Sequence, residues 1–94
     1  MARGKHKSLP KELKKNANWL EKQGAKIIIG LSECARHKYP PGSIKILNET
    51  DAGFKANAYS GNGVMNIFIV VKPGELREKI REKFRKGEYA VSDH

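Results

Sequence analysis

The run Val64-Met65-Asn66-Ile67-Phe68-Ile69-Val70-Val71 constrains the fold more than any other part of the chain. It is apolar on nearly both faces and rich in β-branched side chains, which predicts a strand that is interior to a sheet or covered. Just before it, Ser60-Gly61-Asn62-Gly63 contains Asn-Gly, the dipeptide that accepts positive φ at both central positions of a tight turn. A hairpin therefore joins this strand to Phe54 through Tyr59, in which Phe54, Ala56 and Ala58 alternate with Lys55, Asn57 and Tyr59.

The remaining elements are arranged around that hairpin. Ser43 to Asn48 places Ile44 and Ile46 on one face and Lys45 on the other, a half-exposed strand that turns through Glu49 to Gly53 into the next. Ala25 to Gly30 contains Ile27-Ile28-Ile29, apolar on both faces, which predicts a central strand. Ahead of it, Leu9, Leu13, Ala17 and Leu20 form one helical stripe, with Ser8 or Leu9 as cap, Pro10 in the first turn and Gly24 as the stop. That predicts a helix over 9–23, with Trp19 on its flank as a half-buried lid on the core. Lys72-Pro73-Gly74-Glu75 opens a second helix, in which Leu76, Ile80 and Phe84 line one face and Gly87 ends the run.

The order α-β-β-β-β-α predicts an α+β two-layer sandwich: a mainly antiparallel four-stranded sheet with two helices on one face. Its other face carries Lys45, Lys55, Asn57 and Tyr59 outward. With 94 residues there is room for one domain, placed at 8–87 between a basic flexible arm at 1–7 and a flexible C-terminal tail at 88–94.

Nineteen Lys and Arg against ten Asp and Glu give a formal charge of +9, a self-repulsion that a polyanion relieves. The leading expectation is a small, basic, non-enzymatic module that binds DNA or RNA. The contributing cations are Arg3, Lys5 and Lys7 in the arm, Lys45 and Lys55 on the open sheet face, and the stripe Arg77, Arg81 and Arg85 on the second helix. The alternatives are a metal-binding protein and a regulatory protein-interaction module with an acidic partner. A single cysteine and no secretory h-region point to a reducing, cytoplasmic setting, and no apolar run is long enough to span a bilayer.

The segment Cys34-Ala35-Arg36-His37-Lys38-Tyr39-Pro40-Pro41-Gly42 is the most chemically loaded loop. Arg36, His37, Lys38 and Tyr39 offer four donors suited to phosphate on a turn stiffened by Pro-Pro. Cys34 and His37 would share a face if 32–38 formed one helical turn, but two ligands fall short of the four a structural zinc requires. His6, Glu33, His94 or a second chain would have to complete such a site. A metal-dependent nuclease would need converging carboxylates, for which Glu49 and Asp51 with Lys55 are the nearest set. No Walker A loop, dinucleotide fingerprint, HExxH, GxSxG or CxxC pattern occurs, and no residue is assigned a catalytic role. At Arg36 to Gly42, followed by Ile44-Lys45-Ile46 and Gly53-Phe54-Lys55, the chain resembles a small uncharacterised prokaryotic family labelled predicted metal-binding. The resemblance spans about residues 24–72 and implies a metal role, zinc among the candidates, for Cys34 and His37.

Overall fold

The structure, a computed structural model, describes residues 9–61 and 63–84 and the backbone of 89–90. The expected arm with Arg3, Lys5 and Lys7, the expected contact residue Arg85, the helix stop at Gly87 and the turn residue Asn62 lie outside the described residues.

Pro10 is extended, with φ −61° and ψ 154°, so the first helix begins after it, as a 3-10 turn over Lys11–Leu13 that passes into α1, Lys14–Lys22. The exit is a double backbone cap: Gly24 N–H donates to Glu21 O and Ala25 N–H to Leu20 O, satisfying two carbonyls the helix leaves open. Four strands follow as β1, Lys26–Cys34, β2, Ile44–Thr50, β3, Gly53–Tyr59, and β4, Gly63–Val70. Helix α2 then runs over Glu75–Lys83, and a two-residue β5, Tyr89–Ala90, closes the series.

The sheet order is β1-β4-β3-β2-β5, antiparallel at every pairing, so β2, β3 and β4 form the expected meander. The α+β architecture is as the sequence indicates, and β4 is interior between β1 and β3. Two expectations are corrected. β1 is an edge strand and not a central one, because the hairpin already occupies the far side of β4; Ile28 is left 57% exposed. Residues 89–90, expected in a tail, pair with Lys45 and Ile44 on the outer side of β2, a contact too short for any periodicity to reveal.

One face of the sheet is covered. Leu13, Ala17 and Leu20 from the N-terminal helical segment, Ile80 from α2 and Phe84 just past its end share a core with Ile44, Ile46, Phe54, Ala56, Met65, Ile67 and Ile69. Trp19 is a half-buried lid, as expected, edge-on to Phe84 with ring centroids 6.1 Å apart. The β2–β3 turn is closed by Thr50, whose hydroxyl accepts from Ala52 and Gly53 N–H. Gly53 has φ +153°, and a Cβ built there would lie 1.9 Å from Ile69 O, so β3 and β4 approach closely only with glycine at this point.

Candidate nucleic-acid interface

The helix-free face is built from the alternate positions of β2, β3 and β4. The register sets Lys45 beside Asn57 and Asn57 beside Asn66 in one row, and Asn48, Lys55, Phe68 and Ile28 in the next. Tyr59 lies on the same parity, opposite Val64. A shallow apolar groove of about 410 Å³ runs between Ile28, Leu47, Lys55 and Phe68.

The loaded loop folds over the Tyr59 end of this face. Tyr39 stacks on Tyr59 with ring centroids 4.3 Å apart, and His37 lies 4.9 Å from Tyr59. Tyr59, expected outward, is therefore only 4% exposed, and the accessible aromatic positions are Tyr39 and His37 above it. Lys45 Nζ donates to the Tyr39 hydroxyl at 3.2 Å and sits 5.4 Å from the ring centroid. That hydroxyl, as acceptor, holds the Lys45 ammonium above the ordinary lysine range. Asn57 Nδ2 donates to the Tyr59 hydroxyl at 3.4 Å.

The loop is fixed from beneath. Asn16, buried in α1, donates to Gly42 O at 2.7 Å, while Gly42 N–H donates to Tyr59 O and Ser43 N–H to Pro40 O. Gly42 has φ +94° with Glu12 O 2.6 Å from where a Cβ would stand, so helix and loop meet backbone to backbone. His37 Nδ1 accepts from Tyr39 N–H at 3.1 Å, which leaves Nε2 to donate to Ser60 O at 2.8 Å. Arg36 and Lys38 point into solvent, and among the described residues no carboxylate pairs with either of them or with Lys55.

The second-helix stripe is corrected. Arg77 is 5% exposed and its guanidinium is occupied by Val71 O, Thr50 O and Asp51 O and by the Glu49 carboxylate at 3.1 Å. It is a structural clamp between α2 and the β2–β3 turn, with no donor left for phosphate. Arg81 is exposed but engages Glu49 through Nε at 3.1 Å and Glu78 through Nη1 at 3.3 Å. These arginines hold the Glu49 carboxyl below its usual range, Arg81 foremost. They gather at the β2–β3 turn, the opposite end of β3 from Tyr39. Of the two carboxylates in the suggested nuclease set, Glu49 is thereby ion-paired with both arginines.

The condition for Cys34 and His37 to share a helical face is not met: the segment begins as the end of β1, where Cys34 pairs with Gly63. Cys34 and His37 still line one shallow pocket with Ala35, Arg36 and Gly61. Both ring nitrogens of His37 are already hydrogen-bonded, and among the described residues no group of three His, Cys, Asp or Glu converges. Among those residues no helix is long and apolar enough to cross a membrane.

Phe68 belongs to the open face but is not legible as such in the sequence, because its strand is apolar at both parities. Asn66, two positions earlier on the same parity, and the partner Lys55 are the polar signals that assign it a face. Comparison with protein-family models, curated proteins and solved structures finds no match.

Proposed function

We propose that this protein is a non-enzymatic module that binds single-stranded nucleic acid on the helix-free face of its sheet. The observation that carries the proposal is the juxtaposition of the Tyr39–Tyr59–His37 cluster with Lys45, next to a row holding Lys55 and Phe68. Aromatic rings accept bases of any sequence, at about 1–3 kcal/mol per stacked base, while neighbouring cations follow the phosphates. Arg36 and Lys38 extend the cationic rim at the Tyr39 end, and the +9 charge supplies long-range attraction. Two further features favour a single strand: the face is a sheet with no projecting helix to enter a major groove, and its aromatic positions need unstacked bases.

The test is fluorescence anisotropy of a labelled single strand and its duplex across a salt series. The single strand should bind more tightly, with log affinity falling by roughly 0.7 per phosphate contact against log salt. Replacing Lys45 and Lys55 together by Ala should flatten that slope by about 1.4, the loss of two contacts. Absence of binding at low salt, or a slope unmoved by the double replacement, would overturn the proposal.

A further inference from the structure

The open edge of β1 is self-complementary. Among the described residues no strand pairs with its outer side, and it carries two of the three exposed large apolar residues, Ile28 at 57% and Leu31 at 79%. Such an edge is a template for another strand. Between Ile29, opposite Ile67, and Ser32, opposite Met65, two residues, Gly30 and Leu31, stand against Asn66 alone. This bulge shifts the side-chain parity by one. Lys26, Ile28 and Glu33 consequently share the open face, through their partners Val70, Phe68 and Val64, although an unbroken strand would put Glu33 on the other face from Lys26.

We propose that a second copy of this chain pairs with β1 antiparallel, about a two-fold axis, with Lys26 opposite Glu33 of the second copy. That register places Ile28 opposite Leu31 of the second copy and Ile27 opposite Ser32, so unlike charges and exposed apolar groups meet, each pair occurring twice. The shift introduced by the bulge is what puts the two members of each pair on the same face, Lys26 and Glu33 on the open face and Ile27 and Ser32, opposite Ile69 and Met65 of β4, on the core face. Assembly closes at two copies, because β5 already occupies part of the other outer edge, at Ile44 and Lys45. The axis stands perpendicular to the sheet, which keeps both helix layers on one side and both open faces on the other. A contact of one strand per copy is small, so association is concentration-dependent.

Sedimentation equilibrium of the full chain, freed of nucleic acid, tests this over a concentration series. The wild type should show a monomer–dimer equilibrium. Lys26→Glu and Glu33→Lys should each weaken it about tenfold by setting like charges opposite one another, and the double variant K26E/E33K should return to near the wild-type constant. Both side chains are exposed, so circular dichroism should show all three variants folded. A wild type that stays monomeric to its solubility limit, a dimer indifferent to both single reversals, a double variant no stronger than the singles, or growth to larger assemblies would each overturn the proposal.

Discussion

Arg77 shows how a charge can belong to the architecture instead of the ligand surface. Its donors serve the carbonyls of Thr50 and Asp51 at the β2–β3 turn and the buried carbonyl of Val71 between β4 and α2. Replacing Arg77 with Met should lower unfolding free energy by about 1–3 kcal/mol, measured by urea titration, the cost of leaving the buried Val71 carbonyl without its donor. Arg77→Lys should also destabilise but leave oligonucleotide affinity unchanged below the unfolding transition. Glu49 adds a pH signature. Its carboxyl is lowered from 4.5 in the folded state, so the Arg81 and Arg77 contacts contribute fully above the unfolded value and fade as pH falls through the folded one. Stability should therefore decline on acidification below about pH 4.5, and Glu49→Gln should show a shallower decline there. The exposure of Glu49 and Arg81 keeps this effect small.

At the scale of elements, what the sequence declares is what is written in alternation and in turn chemistry. Phe54 to Tyr59 alternates cleanly, and the stripes Leu13-Ala17-Leu20 and Leu76-Ile80-Phe84 are the helix faces found packed on the sheet, whereas the expected Asn-Gly turn is displaced by one residue, Gly63 being the first residue of β4 with Ser60 N–H bonded to its carbonyl. Gly53→Ala checks the tightest of these turns: with Ile69 O in the way and a φ that L-residues avoid, it should cost more than about 2 kcal/mol in denaturant unfolding. The position of β1 is not legible, since three consecutive isoleucines describe an apolar strand without saying how many neighbours it has. Cys34 falls in β1 and not in the loop because the strand continues past its bulge to pair Cys34 with Gly63, a long-range contact invisible to local spacing. Likewise, the Arg77 stripe has the period of a solvated helix face, and only the carbonyls of a turn distant in sequence reveal its use. Of the candidate site, Lys45 and Lys55 are assigned correctly to the open face by parity, whereas the stacking of Tyr39 on Tyr59 depends on how the loop folds back.

For the whole molecule, the consequence is a division of labour between two faces. The helix layer holds the core, Trp19 and the arginine–glutamate network, and the open layer holds Lys55, which pairs with no carboxylate among the described residues, and the aromatic cluster. Trp19, the only tryptophan, is packed beside Phe84 with Lys83 Nζ 4.9 Å from its ring, so its fluorescence should be unchanged when an oligonucleotide binds the opposite face. The central claim is that binding uses this open face, and amide chemical-shift mapping during titration with a single-stranded oligonucleotide tests it most directly. Shifts should concentrate at 36–39, Lys45, Lys55, Asn57 and Phe68, with α1 and α2 unmoved. Shifts centred on the helices, or none at a saturating concentration, would contradict it.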